Sequence, residues 1–280
     1  MRRTAERPLR SVLFLPAERE RAVAKARTLP CDAVALDLED AVGPEAKDAA
    51  REAALAALAA GFGERLVALR LNALSSPWGG RDLEAAARAA PDAVILPKVE
   101  GAADVARAAE TLPETTAVWA MIETPAGLMN LAAIASAAPG RLKALILGQN
   151  DLLAELGAQA LPGRPVIAAF APWILAAARA NGLFALDGVY NAFADAEGFA
   201  AECAQGRAWG FDGKTLIHPS QVAPCNAAFS PSEAELAWAR SVVELFGRPE
   251  NSQAGAVRLG DQMVERLHLR RAEALLASLD

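Results

Sequence analysis

Histidine and cysteine are scarce in this chain of 280 residues. It contains two histidines and three cysteines, and Cys31, Cys203 and Cys225 form no CxxC pair. An odd number of widely separated cysteines is typical of reduced, buried thiols in a cytosolic protein, and it indicates neither a disulfide framework nor a zinc site. A metal site in this chain is therefore expected to use oxygen ligands.

Long apolar runs and a strong overall charge are also missing. No apolar run approaches the roughly 20 residues that span a membrane, and the short apolar stretch after MRRTAERPLR ends at Pro16, which is too short for a signal peptide. The net charge of −6 gives no general attraction for nucleic acid or an anionic membrane. We expect a soluble, cytoplasmic protein with neither nucleic acid nor membrane as a partner.

The chain does contain apolar sequence in short pieces. Apolar residues make up 53% of it, and eight short runs alternate with stretches of helical character. The runs are residues 11–15, 33–38, 66–71, 93–96, 118–122, 144–147, 183–186 and 214–217. Such near-continuous runs are typical of parallel strands covered on both faces, and eight of them predict an α/β fold of the TIM (β/α)8 barrel type. An open doubly wound sheet is the alternative, but no GxGxxG follows the first run.

The chain continues beyond eight such units. We expect residues 1–220 to form the barrel and residues 221–280 to form a C-terminal helical extension. Ser232 and Glu235 have the spacing of a capping box, which predicts a helix start. Residues 247–260 are expected to be a flexible connector, and residues 261–279 a final helix.

Two apolar runs lead to acids. Val118–Ile122 is followed directly by Glu123, and residues 144–147 lead through Gly148 to Asp151. In a barrel the carboxyl ends of the strands meet at one rim, so these two carboxylates predict a site for a hard cation such as Mg²⁺. The alternative is that each acid caps the helix that follows it.

Further polar residues follow other strands at the same predicted rim. The run at 33–38 is followed by Glu39 and Asp40, and that at 66–71 contains Arg70. Lys98 and His218 stand at two more strand ends. Lys98 and Arg70 are alternatively neutralising partners of nearby acids, and His218 is alternatively a structural hydrogen-bonding residue. Crowded carboxylates repel one another unless cations relieve them, so together the residues favour a functional site.

Several motifs resemble those of a known family: RSVLFLPAERERAVAKA, VALDLEDAVGPEAKDAAR, LRLNALSSPWG, AVILPKVE, MIETPAGLMN, LGQNDLLAELGA and the long stretch from DGVYNAFADAEGF to GFDGKTLIHPSQV. In this order they resemble the HpcH/HpaI aldolase–citrate lyase β superfamily. The likeness is to its CoA-ester branch, which contains citrate lyase β-like proteins, malyl-CoA and citramalyl-CoA lyases and (3S)-malyl-CoA thioesterase.

The resemblance implies a TIM barrel that assembles as a homotrimer or hexamer, with a C-terminal lid. It implies Mg²⁺, or alternatively Mn²⁺, bound by Glu123 and Asp151, and a substrate-binding arginine at Arg70. The acids of its DLEDAV motif fall on Glu39 and Asp40. Its lid carries a catalytic acid in a Met-Ile/Val-Asp motif. The matching residues here are Met263-Val264-Glu265, so Glu265 would be that acid, longer by one methylene.

The function that the resemblance implies is carbon–carbon bond cleavage of a short 3-hydroxyacyl-CoA, of the malyl-CoA or citramalyl-CoA type, to an acyl-CoA and a 2-oxo acid. The alternatives are hydrolysis of (3S)-malyl-CoA to malate and CoA, and a role as the β subunit of a multi-subunit citrate lyase. Coenzyme A enters as part of the substrate. Its phosphates require basic side chains, and Arg10, Arg19, Arg21 and Lys25 near the first strand are the candidates.

Overall fold

A computed structural model describes residues 8–277 of the chain. Residues 1–7, which include most of the basic N-terminal segment, and residues 278–280 lie outside the described part. The chain divides into two compact units, Met1–Phe229 and Ser230–Asp280. None of the helices in the described range is both long and apolar enough to cross a membrane.

Eight parallel strands close into a barrel in the first unit, in the order β1 to β8. Every predicted apolar run contributes one strand, so the predicted (β/α)8 barrel is confirmed. The strands are β1 Ser11–Pro16, β2 Ala33–Asp37, β3 Leu66–Arg70, β4 Ala93–Leu96, β5 Ala117–Ile122, β6 Leu142–Leu147, β7 Phe184–Asp187 and β8 Gly213–Leu216. The barrel closes where β1 pairs with β8.

Helices surround the barrel and connect its strands. They are α1 Glu20–Ala26, α2 Lys47–Ala60, α3 Gly79–Ala89, α4 Ala102–Thr111, α5 Pro125–Met129, α6 Leu131–Ala135, α7 Gln149–Glu155, α8 Pro165–Asn181, α9 Ala196–Trp209 and α10 Val222–Phe229. Because α10 packs against α9, β1 and β8, the first unit extends past residue 220, where the sequence suggested a boundary. The three cysteines, one on the loop before β2 and one each on α9 and α10, are buried and unpaired.

The strands are apolar on both faces because each face packs against other side chains. One set of alternating residues fills the inside of the barrel, where small alanines of β2 and β3 face the large Trp119 and Met121 of β5. The other set packs against the helices, as Leu36, Leu69 and others do. This double burial explains why the runs show no polar–apolar alternation.

The second unit contains two helices and a hairpin. These elements are α11 Glu233–Gly247, β9 Ala256–Leu259, β10 Gln262–Glu265 and α12 Arg266–Ala277. The predicted capping box is confirmed, since Ser232 Oγ accepts the Glu235 N–H at 3.2 Å and Glu235 Oε2 accepts the Ser232 N–H at 2.8 Å.

The prediction of a flexible connector at residues 247–260 is wrong, because strand β9 lies in it, whereas the predicted final helical segment is present as α12. Strands β9 and β10 pair antiparallel through a two-residue loop whose first residue, Gly260, has a φ of 60°. Short hairpin loops favour glycine with positive φ at this position. The inward Val257 and Val264 pack against Val242 and Phe246 of α11, and this burial gives the short strands their stability.

Candidate active site

Five carboxyl groups and two cationic side chains meet at the carboxyl ends of neighbouring strands β2 to β6. They are Asp37, Glu39, Asp40, Glu123, Asp151, Arg70 and Lys98. The residues with polar side chains that the sequence placed at the carboxyl ends of β2, β3, β5 and β6 therefore do share one rim of the barrel.

Arg70 ends β3 and makes a forked pair with Asp37, its neighbour in the β2–β3 register. Its Nε lies 2.7 Å from Asp37 Oδ1 and its Nη2 lies 2.6 Å from Asp37 Oδ2. Its Nη1 lies 2.7 Å from Glu39 Oε2 and 3.2 Å from Asp40 Oδ2. Burial alone would lower the pKa of Arg70, but the three carboxylates outweigh it and raise the pKa. The fork therefore fixes the plane of a permanently charged guanidinium.

Glu39 lies in the loop after β2. The buried Lys47 holds this loop, because its Nζ donates to the carbonyl oxygens of Leu38 and Glu39, both at 2.8 Å. Burial, together with the negative charge of Asp40, raises the pKa of Glu39 from 4.5 to about 7, although Arg70 opposes the shift. A carboxyl group with this pKa can exchange a proton near neutral pH. The side chain of Asp40, in contrast, is 57% exposed.

Glu123 follows β5 and is almost fully buried, with 1% of its surface exposed. Its Oε1 accepts the backbone N–H of Lys98 at 2.7 Å, whereas its buried Oε2 has no hydrogen-bond partner among residues 8–277. Gly148 leaves room for it, because a Cβ at that position would lie 2.3 Å from Glu123 Oε2. Burial and the charges of Glu39 and Asp151 raise the pKa of Glu123 to about 8.

Asp151 lies in the first turn of α7. The N-cap residue of this helix is Gly148, so Asp151 is not the cap. Its Oδ1 accepts a hydrogen bond from Lys98 Nζ at 2.8 Å, and the same ammonium lies 3.7 Å from Glu39 Oε1. Partial burial would lower the pKa of Lys98, but the hydrogen bond to Asp151 and the charge of Glu39 raise it on balance. Asp151 therefore points to the site and contacts Lys98, which also contacts Glu123.

The donor set suits a hard divalent cation that keeps part of its hydration shell. Glu123 and Asp151 offer carboxylate oxygens on one rim, and Glu123 Oε2 is buried without a partner. Between residues 8 and 277, no group of three or more His, Cys, Asp or Glu side chains is arranged to hold a metal ion. Two carboxylates with water or substrate in the other positions are the usual environment of Mg²⁺, and a complete protein cage is not.

Arg10 requires a correction. It was a candidate for CoA phosphates at the barrel mouth, but it precedes β1 and so lies at the amino end of that strand, away from the site. Its Nε and Nη2 pair with both carboxylate oxygens of Asp32, at 2.9 and 2.7 Å, and Asp32 in turn precedes β2. Arg19, Arg21 and Lys25 are exposed, with Arg19 capping α1 just after β1. Their role toward CoA stays a prediction.

His218 has the structural role that was its alternative. Its Nδ1 accepts the backbone N–H of Ser220 at 3.2 Å, which caps the short 3₁₀ helix Pro219–Gln221. Its ring stacks on Phe193, with 4.8 Å between the ring centroids.

Glu265 belongs to the second unit. It ends β10, is exposed, and its backbone N–H donates to His268 Nδ1 at 2.9 Å, so its catalytic role also stays a prediction.

One residue of the site lies outside the predicted set. Asp37, at the end of the apolar run 33–38, was not among the predicted site residues, yet its carboxylate holds Arg70. Lys98 was placed at the predicted rim, and it contacts both acids of the predicted metal pair. The register of β2 and β3 is the signal that identifies Asp37, because it sets Asp37 beside Arg70.

Known proteins resemble this chain over most of its length. Residues 10–219 match the family described as HpcH/HpaI aldolase/citrate lyase. A (3S)-malyl-CoA thioesterase from Cereibacter sphaeroides (strain KD131) is 45% identical over 274 residues, which cover 98% of this chain and 95% of that protein. The citrate lyase subunit beta of Escherichia coli (strain K12) is 34% identical over 282 residues, covering 97% and 93%.

A solved structure has the same fold over nearly the whole chain. The crystal structure of the protein CitE from Mycobacterium tuberculosis, in complex with magnesium, acetoacetate and coenzyme A, has a TM-score of 0.83 at 36% identity and covers 99% of both chains. A citrate lyase beta subunit from the same organism, complexed with oxaloacetate and magnesium, has a TM-score of 0.71 at 37% identity over 80% of this chain and 98% of that one. The chain belongs to the HpcH/HpaI aldolase/citrate lyase family, among its citrate lyase beta-like enzymes of CoA esters.

Proposed function

We propose that the chain is a Mg²⁺-dependent enzyme that hydrolyses the thioester of a short 3-hydroxyacyl-CoA of the (3S)-malyl-CoA type. One observation carries this proposal: a guanidinium fixed by a carboxylate fork stands on the same rim as two acids that share Lys98. The 45% identity to (3S)-malyl-CoA thioesterase supports hydrolysis as the reaction.

Glu123 and Asp151 would hold the metal ion. Once bound, Mg²⁺ supplies an electrophilic centre that orients the hydroxy acid end of the substrate and polarises its oxygens. The CitE protein was solved with magnesium and coenzyme A, which supports a magnesium-dependent reaction of a CoA ester in this chain.

Arg70 would bind the acyl part of the substrate. The fork on Asp37 leaves the guanidinium little freedom, so it pre-orients the charge toward an oxygen that becomes negative during the reaction. Arginine suits this role because its charge persists at any working pH. Phe14, whose ring centroid lies 5.2 Å from the guanidinium carbon, further restricts its movement.

Glu39 would act as the base. With a pKa of about 7 it can take a proton from a water molecule whose oxygen attacks the thioester carbonyl carbon. The carbon–sulfur bond then breaks, the free acid forms, and CoA leaves as the thiolate, which takes up the proton. Arg70 lies 2.7 Å from Glu39, so base and oxyanion-binding group are neighbours.

Carbon–carbon cleavage is the second candidate, and the 34% identity to citrate lyase subunit beta favours it. In that reaction a base removes the hydroxyl proton of malyl-CoA, the carbon–carbon bond breaks, and glyoxylate and acetyl-CoA form once a proton reaches the acetyl carbon. Glu265, in the motif that matches the family's lid acid, is the proposed proton donor. Arg19 and Lys25 are proposed to bind CoA phosphates.

A single assay separates the two reactions. Purified protein is incubated with malyl-CoA and Mg²⁺, and free thiol and glyoxylate are measured separately. Thiol without glyoxylate supports hydrolysis, and glyoxylate with acetyl-CoA but no thiol supports cleavage. Neither product from malyl-CoA or citramalyl-CoA would overturn both. Glu123→Gln should abolish the activity, while Glu84→Gln, a change on the exposed face of α3, should not.

The active form is proposed to be a homo-oligomer, a trimer or a hexamer. Light scattering on the purified protein measures the mass directly, and a monomeric mass with full activity would overturn this part of the proposal. A role as a subunit of a larger citrate lyase predicts no activity on free CoA esters without the other subunits.

A further inference from the structure

Lys98 has an unusual backbone conformation. Three non-glycine residues between positions 8 and 277 have a positive φ, and Lys98, at 50°, is the one in the candidate site. The other two, Ala90 and Arg164, cap helices. Residues with a Cβ adopt this left-handed region rarely and at an energetic cost, so it persists only where surrounding contacts require it.

The conformation lets two donors of one residue reach two acids. The backbone N–H of Lys98 donates to Glu123 Oε1 at 2.7 Å. Its ammonium donates to Asp151 Oδ1 at 2.8 Å and lies 3.7 Å from Glu39 Oε1. The side chain of Lys98 is 34% exposed, so its flexible stem has space to move toward solvent while the backbone stays in place.

The two contacts differ in what a metal ion would do to them. A cation on Glu123 is compatible with the N–H, which is a neutral donor that orients the carboxylate. The ammonium, however, is already paired with the carboxylate of Asp151. Two positive charges on neighbouring carboxylate oxygens repel each other. A divalent cation and the ammonium therefore compete for Asp151.

We propose that Lys98 is a built-in counter-ion of the metal site, whose ammonium holds the cation position at Asp151 and leaves it when a divalent cation binds. The inference rests on the proposed function, in which Glu123 and Asp151 bind the metal. The released ammonium has Glu39 as its other carboxylate partner, next to Arg70. Lys98 is in these terms a positioning residue, which acts on the metal through Asp151 and on Glu123 through its N–H.

The test is Mn²⁺ affinity, measured by electron paramagnetic resonance on the full chain without substrate. Lys98→Met keeps the Cβ, the length of the side chain and hence the backbone strain, but removes the charge. It is expected to bind Mn²⁺ roughly three- to tenfold more tightly than the native protein. Lys98→Gln should behave like Lys98→Met, and Lys98→Arg, which keeps the charge, should stay near the native affinity.

Thermal unfolding gives a second readout. Without metal, Lys98→Met leaves Asp151 without its partner, so its midpoint should fall below that of the native protein. With saturating Mn²⁺ the difference should shrink or vanish. A purely structural ion pair would instead lower the midpoint equally in both conditions.

The outcomes distinguish the inference from the proposed function. Equal or weaker Mn²⁺ binding by Lys98→Met and Lys98→Gln, with the native protein binding normally, overturns the counter-ion role alone. If the native protein itself binds no Mn²⁺, the metal assignment of the proposed function fails, and the counter-ion role fails with it.

Discussion

Replacing Glu123 with glutamine should change how the stability of the metal-free protein depends on pH. Burial, aided by the charges of Glu39 and Asp151, raises the pKa of Glu123 from 4.5 to about 8. The unfolded chain releases this proton near pH 4.5, while the folded protein keeps it up to about pH 8. The folded state binds more protons between these values, so its free energy of unfolding falls as the pH rises.

The size of the effect follows from the shift. Each unit of pKa difference corresponds to about 1.4 kcal/mol, so Glu123 alone destabilises the metal-free protein by about 4 kcal/mol between pH 5 and pH 8. No discount for solvent screening applies, because the side chain is almost completely buried. Glutamine has the same shape, can still accept the Lys98 N–H, and does not titrate.

The assay is urea unfolding in the presence of a chelator at several pH values, followed by the fluorescence of the tryptophans, among them the buried Trp119 of β5. The native protein and Glu123→Gln should have similar stability at pH 5, and the variant should be increasingly more stable toward pH 8. Glu84→Gln serves as the control and should follow the native curve. Parallel curves for the native protein and Glu123→Gln would refute the assigned pKa and its cause.

Magnesium should remove the difference. A cation at Glu123 favours the ionised carboxylate, and binding to the folded state adds stability by mass action. The native protein at pH 8 should therefore gain stability when Mg²⁺ replaces the chelator, whereas Glu123→Gln should gain little. An equal gain in both proteins would place the metal elsewhere.

Three further changes test other parts of the structure. Gly148→Ala places a methyl group against Glu123 Oε2 and should abolish activity and lower stability by about 1–3 kcal/mol, whereas Gly43→Ala, with open space around its Cβ, should do neither; normal activity of Gly148→Ala would contradict the tight fit. Arg70→Lys loses the forked contact and should reduce kcat/KM by about 100-fold or more with an unchanged circular dichroism spectrum, and near-native kinetics would show that the fork is dispensable. Ser232→Ala removes a helix cap and should lower the unfolding free energy of the second unit by about 1 kcal/mol, measured by hydrogen exchange along α11, and unchanged exchange there would contradict it.

The barrel could be predicted from the sequence because its signal is local. A parallel strand with both faces buried needs a short, nearly unbroken apolar run, and each of the eight runs in the sequence forms one strand of the barrel. The hairpin of the second unit was missed for the opposite reason. Its strands are four residues each, two of their residues are buried, and Gly260, which begins the turn, lies in the stretch predicted to be a flexible connector.

The candidate site was predictable in its composition but less so in its contacts. Charged residues at the ends of strands predicted one rim for Glu39, Glu123, Asp151 and Arg70, and these residues do lie there. Strand direction also decides which residues stay away from it, and Arg10, which precedes β1, was misplaced because that direction was not applied. Its partner Asp32 precedes β2, and the two form an ion pair at the amino end.

The role of Lys98 depends on geometry that no local pattern encodes. Its N–H donates to Glu123 from a residue with a positive φ, and its ammonium reaches Asp151 across 53 positions of sequence. The rim carries five carboxyl groups against the cationic side chains of Arg70, Lys98 and, in the loop after β2, Lys47, so it remains short of positive charge. The buried Glu123 responds by keeping its proton, and a divalent cation that replaces this proton would correct the same deficit. The raised pKa of Glu123, the unpartnered Oε2 and the strained Lys98 therefore have one common explanation, a site built for a charge that the polypeptide alone does not provide.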